Sequence, residues 1–305
     1  MLTGILAGLL AGALWGLVFV APRMVSGFAG IDLTAGRFVV YGVVSVAVLA
    51  VSWRRARKPT WPQAWGALWL SVLGFTGYYW ILVLAIRDAG TEMPAPIVGT
   101  IPSWVMLLGK PQGLRWVALL PGLLLTLAGL YFMAKGTLAH ADQAPAALNT
   151  IASQSAYWRG IGLAVAAMAC WTAFALLNAA WLRRNPDVGA TDWANWLGVA
   201  TGVGGLLLTF TLGTPLPQLV AQPGWPLFAL IVVAIGLGSS WLATILWNIA
   251  SQRLSASLCG QLIVSETLFA LLYSFMWDKR WPTITQWTAA ALFTAGILAS
   301  IKAHR

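Results

Sequence analysis

Residues 2–21 read LTGILAGLLAGALWGLVFVA, twenty positions whose only polar side-chain groups are the hydroxyl of Thr3 and the indole N–H of Trp15. As an α-helix rising 1.5 Å per residue, such a stretch crosses the roughly 30 Å hydrocarbon layer of a bilayer. Its pattern returns far down the chain. Shifted by 156 positions and without a gap, Gly4, Ile5, Ala11, Ala13 and Trp15 fall on Gly160, Ile161, Ala167, Ala169 and Trp171. One apolar helix and its echo therefore suggest a membrane protein made of two related halves.

The composition agrees. Hydrophobic residues make up 59% of the 305 and charged residues 9%, with a mean hydropathy of +0.79. A soluble domain carries about a quarter charged residues, so this chain cannot build an ordinary wet surface. In lipid every backbone N–H and C=O needs an internal partner, which leaves helices or closed barrels. The apolar runs are long and do not alternate with period two, and this selects helices. Net charge is +10, from 18 Lys and Arg against 8 Asp and Glu. The basic residues sit in short loops between apolar runs, a pattern of membrane topology rather than of nucleic-acid binding. Cys170 and Cys259 lie inside apolar runs, without metal-ligand spacing, and read as small core residues. The first run lacks a basic leader and is long for a signal peptide, so it reads as a retained helix.

Ten apolar runs are expected, at 2–21, 32–52, 63–86, 93–109, 114–133, 157–181, 193–211, 226–250, 256–275 and 285–302. Joints fall at Pro22, Pro59–Pro62, Lys110–Pro111, 135–155, Asn185–Pro186, Pro215–Pro226 and Trp281–Pro282. With the N terminus inside, 11 basic residues (Arg54, Arg55, Arg57, Lys58, Lys110, Arg115, Arg183, Arg184, Arg253, Lys302 and Arg305) face the cytoplasm. The other side receives 7: Arg23, Arg37, Arg87, Lys135, Arg159, Lys279 and Arg280. It also receives the acids Asp32, Asp88, Glu92, Asp142 and Asp278. The positive-inside rule then puts both termini in the cytoplasm.

The fourth and ninth runs align as well, at an offset of about 165, by small-residue pattern and position more than by identity. The expected organisation is a first repeat at 1–134, a connection at 135–156 and a second repeat at 157–305. Five crossings are an odd number, so the two repeats must be inverted relative to each other. Inverted repeats are typical of secondary transporters, in which exchanging the conformations of the halves alternates access.

On these residues the chain resembles the drug/metabolite transporter superfamily (EamA-like). The resemblance spans the whole length. It rests on the five-plus-five pattern, Ala13-Leu14-Trp15-Gly16 in the first run, Arg37-Phe38 opening the second and Leu254-Ser255-Ala256-Ser257 entering the ninth. Glu266 also fits, although Thr267 stands where the family usually has proline. Within the superfamily the chain looks most like the YddG type of aromatic amino acid exporter. That resemblance implies a basket of helices around a central cavity, with efflux of Phe, Tyr, Trp or similar molecules.

Tryptophan is abundant, at 19 positions, and most of these suit the interfacial belt, where the ring is buried and its N–H stays wet. Trp53, Trp61, Trp65, Trp116, Trp181, Trp193 and Trp196 map to the cytoplasmic rim. Trp158, Trp225, Trp277 and Trp281 map to the other. Trp15, Trp69, Trp104, Trp171 and Trp241 lie deeper, where an indole N–H needs a partner and the ring should face the bundle or a wet cavity. They either line a pathway or pack the core. Tyr78 and Tyr79 sit mid-span about 100° apart on the helix, so one should point inward.

Deep polar residues are few: Thr100, Ser103, Asn178, Asn248, Gln261, Ser265 and Glu266. The amides suit either interhelical bonding or a site. Glu266 is the one acid at mid-membrane depth, and such a group can bind an amine, carry a proton or brace another helix. Arg37, about one turn inside its run, is expected to snorkel to the surface. Pro94, Pro96, Gly99 and Pro102 predict a bent fourth helix, a common wall of transporter sites. Gly4, Gly8 and Gly12, with Gly202 and Gly205, permit close helix packing.

No paired carboxylate, glycine loop or histidine cluster suggests catalysis, so no enzyme activity, cofactor or metal is expected. The fold class expected is all-α integral membrane, ten helices as two inverted repeats around a central cavity. The candidate substrate-binding residues are Trp15, Tyr78, Tyr79, Thr100, Trp104, Trp171, Asn178, Trp241, Asn248, Gln261 and Glu266. The cavity is expected to be aromatic and nearly free of charge, suiting amphipathic solutes and disfavouring sugar phosphates. Partners are a small-molecule substrate such as an aromatic amino acid and the lipid bilayer, not nucleic acid, with a monomer as the working state. The function expected is export by alternating access in a bacterial inner membrane. A broad drug or cation exporter centred on Glu266 is the alternative, and a non-transporting receptor or scaffold the alternative of another class.

Overall fold

The computed structural model describes residues 1–52, 54, 57–90, 93–141, 151–279 and 281–304, giving only the backbone of 134–141, 151–153 and 278. Arg55, Glu92, Asp142, Arg280 and Arg305 from the charge balance, and Trp53 from the belt, lie outside these residues. The described chain is an all-α membrane protein. Its helices are α1 (Leu2–Met24), α2 (Gly30–Val51), α3 (Trp61–Ala89), α4 (Pro94–Leu108) and α5 (Trp116–Ala141). They continue as α6 (Ile151–Arg184), α7 (Ala190–Leu212), α8 (Trp225–Arg253), α9 (Ala256–Asp278) and α10 (Ile284–Ala303). Among the described residues 9 of these are long and apolar enough to cross a bilayer. The exception is α4, which is too short to do so on its own.

Local chemistry sets several boundaries. Thr60 and Gln63 form a reciprocal capping box at the start of α3, and Thr283 with Gln286 does the same for α10. Each box satisfies backbone N–H groups that the first turn leaves without partners. The hydroxyl of Ser255 accepts the Leu258 N–H at 3.2 Å and caps α9. Pro22 does not end α1, which runs on to Met24. The expected connection at 135–155 is entered by helix from both ends, because α5 continues to Ala141 and α6 begins at Ile151.

Two helices carry a π-helical stretch in mid-span: Val72–Thr76 in α3 and Gly236–Leu242 in α8. Such segments widen a helix locally and recur at functional sites. In α4 the break falls at Thr100, between Pro94–Gly99 and Ile101–Leu108. Pro102 lacks the N–H that would bond back to Val98, so the ladder lapses there.

The helices pack in a definite pattern. α1 lies along α9 and α8, α6 along α3 and α4, α2 along α7, and α5 along α10, while α4 also meets α9. Small residues bring the backbones together. A Cβ placed on Gly16 would stand 2.9 Å from the Ala270 nitrogen of α9, and one on Gly42 would stand 2.5 Å from the Gly202 Cα of α7. A buried core of Ile5, Ala11, Val105, Trp247, Leu258, Leu262 and Phe293 fills one side of the bundle. Phe38, Tyr41, Phe75, Phe174, Trp193 and Leu197 fill another.

Candidate functional site

The two indoles that correspond at the offset of 156 positions meet. Trp15 of α1 and Trp171 of α6 stand edge to face, with ring centroids 6.2 Å apart. Trp247 of α8 completes a triangle, 5.3 Å from Trp15 and 6.2 Å from Trp171. From Trp171 a chain of rings runs through the bundle. Phe174 is 5.9 Å away, Phe75 lies 5.4 Å beyond it, and Phe38 5.9 Å beyond that. Tyr79 follows at 5.3 Å from Phe38, and Tyr78 at 4.9 Å from Tyr79. Edge-to-face contacts of this kind each add about 0.5–1.5 kcal/mol beyond area burial, so the chain is a stiff aromatic wall.

The π segments help to set this wall. In α3, Gly74 leaves the space that the Phe174 ring occupies, and Tyr78 and Tyr79 follow directly after the segment. In α8, Ser239 donates a hydrogen bond to the Leu14 carbonyl at 2.6 Å, next to Trp15 in sequence. A Cβ on Gly236 would be 3.1 Å from the Arg37 carbonyl oxygen. One irregular turn thus grips α1 beside Trp15 and α2 at Arg37.

Arg37 departs from expectation. It does not snorkel to the surface, and only 5% of it is exposed. Its guanidinium carbon lies 4.8 Å from the Phe38 ring centroid and 4.9 Å from that of Tyr79. Cation–π attraction, about 2 kcal/mol or more when desolvated, compensates part of the burial. Its Nε is buried without a hydrogen-bond partner. Arg37 is also the cation within electrostatic reach of Glu266, and Tyr78 is within reach of both. Glu266 is half-buried, and its backbone passes Gly12 and Gly16 of α1. The interior is therefore not charge-free. It holds the Arg37 guanidinium against two aromatic rings, with the Glu266 carboxyl within electrostatic reach.

The other predicted residues divide. Asn178, Asn248 and Gln261 are fully buried and pin helices together. Asn178 donates to Asn248 at 3.1 Å and accepts the Trp193 indole N–H at 2.7 Å, while Gln261 donates to Thr126 at 2.8 Å. The Trp241 indole N–H donates to Asn195 at 2.9 Å. Thr100 sits at the break in α4, its hydroxyl 2.7 Å from the Ile97 carbonyl and 3.1 Å from the Met168 sulfur.

Two of the deep indoles face outward instead. Trp69 is 61% exposed and Trp104 44% exposed. The first lies on a face of α3 that no neighbouring helix among the described residues covers. The second lies one turn from the end of the short α4. Conversely, Trp193 and Trp196, expected at the rim, are buried at 0% and 5% exposure. Trp193 stacks on Trp181 with centroids 3.5 Å apart, which tucks the start of α7 under the end of α6.

The sequence reading omitted Trp247, Phe38, Phe75 and Phe174. Trp247 adjoins Asn248 in sequence, and a polar residue at that depth was the available signal. A cavity of about 450 Å³ also opens between α1, α8 and α9, lined by residues such as Leu17, Val20, Ile235, Tyr273 and Trp277. It contains none of the predicted residues. Its polar groups are the phenol of Tyr273 and the indole N–H of Trp277, and it has no charged side chain to orient a polar solute.

About ten apolar helices among the described residues, packed around an aromatic interior that also holds Arg37 and Glu266, define a multi-pass α-helical membrane protein. The chain belongs to the family of the inner membrane protein YtfF of Escherichia coli (strain K12), to which it is 32% identical over 315 aligned residues, 99% of this chain and 96% of that one. It is accordingly a multi-pass inner-membrane protein. A crystal structure of a protein 21% identical in sequence shares the fold at a TM-score of 0.75, over 99% of this chain and 97% of the other. No protein-family model matches the chain.

Proposed function

We propose that the chain is a secondary transporter of the drug/metabolite transporter type, exporting small amphipathic metabolites, aromatic amino acids foremost, by alternating access. The observation that carries this reading is the pattern of helix packing. Exchanging the first five helices for the last five turns the α1–α9 contact into α6–α4 and the α1–α8 contact into α6–α3. The pairs α2–α7, α4–α9 and α5–α10 map onto themselves. The π segments of α3 and α8 are counterparts under the same exchange, and so are Trp15 and Trp171. Two inverted halves would have this signature, and a site at their interface would be reached from either side in turn.

The aromatic wall suits a solute with a flat apolar body. Both termini are assigned to the cytoplasm from the excess of Lys and Arg on that side. The solute crosses unchanged, without enzymatic chemistry. The test is flux of radiolabelled Phe and Trp in liposomes containing the purified protein. Accumulation above protein-free vesicles is expected. No flux for any aromatic amino acid would refute the substrate class, and tight partner binding without flux of any solute would favour a receptor.

A further inference from the structure

Arg37 and Glu266 pose an electrostatic problem. Removing a charge from water costs several kcal/mol unless it is paired and hydrogen-bonded. Arg37 is 5% exposed with its Nε unpartnered, and among the described residues neither group forms an ion pair or hydrogen bond with the other. They act on each other through space without touching. Groups of opposite charge left unpaired in this way each keep unused capacity, and the Arg37 guanidinium lies against the Phe38 and Tyr79 rings, with Tyr78 beside Tyr79.

A solute that completes this arrangement must carry both an anion and a cation. We infer that Arg37 and Glu266 are the two poles of a zwitterion site, Arg37 taking the carboxylate and Glu266 the ammonium of an amino acid whose ring lies on the Tyr79–Phe38 wall. The inference rests on the transport reading and adds the groups that select the solute. A guanidinium donates several N–H bonds to a carboxylate, and Arg37, already fixed between two rings, loses little freedom in doing so. An amine lacking the carboxylate would leave Arg37 buried and unsatisfied, and an acid lacking the ammonium would leave the Glu266 carboxylate without a countercharge. Selection thus comes as much from penalties on the wrong solute as from attraction to the right one.

The experiment uses three probes of one ring size: L-phenylalanine, phenethylamine, which has no carboxylate, and 3-phenylpropionate, which has no ammonium. Binding is read by quenching of tryptophan fluorescence in nanodiscs, and flux in liposomes. A charge-assisted bond contributes about tenfold or more in affinity, so wild type is expected to prefer phenylalanine over each analogue by about that factor. In Arg37→Gln the preference over phenethylamine should vanish. In Glu266→Gln the preference over phenylpropionate should vanish. A variant that merely loosened the bundle would weaken all three ligands equally, and that outcome overturns the inference. Should a variant fail to fold, wild type alone decides: equal binding of the three probes overturns the zwitterion site while leaving transport standing. Binding and flux of none of them overturns both.

Discussion

Trp193 illustrates how much one side chain can hold. Its indole is fully buried, stacks on Trp181 and donates to Asn178 at 2.7 Å, and Asn178 in turn donates to Asn248. Three helices, α6, α7 and α8, are tied through that relay. Trp193→Phe keeps most of the ring and removes the donor. An acceptor left unsatisfied in the interior costs about 1–3 kcal/mol, so the thermal midpoint in detergent should fall while the helical circular-dichroism signal persists. An unchanged midpoint would mean that the relay contributes no stability. Trp15 belongs to the candidate site instead. Trp15→Ala removes two of the three edges of the indole triangle, so the midpoint should fall, each edge contributing about 0.5–1.5 kcal/mol, and flux of the protein that remains folded should drop severalfold. Trp287→Ala, at an exposed position outside the wall, should transport like wild type, and equal losses in the two variants would argue against a role for the triangle.

At the scale of the helix, small residues decide which backbones touch. The α2–α7 crossing occurs at Gly42 and Gly202, where a Cβ on the first would lie 2.5 Å from the Cα of the second. No rotamer relieves such an overlap, because the obstacle is backbone. Gly42→Val should therefore destabilise the bundle by at least the 1–3 kcal/mol typical of overpacking, read as a lower midpoint and poorer recovery as a monodisperse peak. Wild-type behaviour would show that the crossing has room to open. The π segments set finer geometry: Ser239 holds the α1 backbone at Leu14, and Gly236 admits α2 at Arg37. An ordinary α-helical turn at that point would present other groups to both neighbours.

At the scale of the molecule, α6 is fastened near both ends by ion pairs. Arg159 meets Asp88 of α3 at 2.7 Å, and Asp187, just beyond α6, meets Arg57 at 2.5 Å. Alternating access requires one end of the bundle to loosen while the other stays closed. If the α3–α6 junction is a moving contact, Asp88→Cys with Arg159→Cys in a background lacking Cys170 and Cys259 should stop flux on oxidation and regain it on reduction. Full flux from a protein shown to be cross-linked would place the motion elsewhere.

The elements were largely legible in the sequence, and the site only in part. The ten apolar runs correspond to α1–α10, because a backbone in lipid has to satisfy itself within each segment, which makes helix existence a local property. Trp15, Trp171, Tyr78, Tyr79 and Glu266 could be singled out because aromatic rings with polar handles and a lone acid at depth are locally unusual. Asn178, Asn248 and Gln261 could not be separated from site residues in advance, since an amide serves equally well as pin or ligand until its partner is known. The anchor role expected of Trp193 and Trp196 failed for the same reason: depth along a helix can be counted, but which neighbour covers a face cannot.

The sequence by itself determined that this chain is helical and membrane-embedded, since composition and run length are properties of the chain alone. Tertiary structure decided what faces what. It turned Arg37 inward over Phe38 and Tyr79, set Glu266 within its field without pairing the two, and brought Trp247 to the two related indoles. Those outcomes depend on helix rotation and crossing, which are set by glycine contacts and π segments acting between helices far apart in the chain.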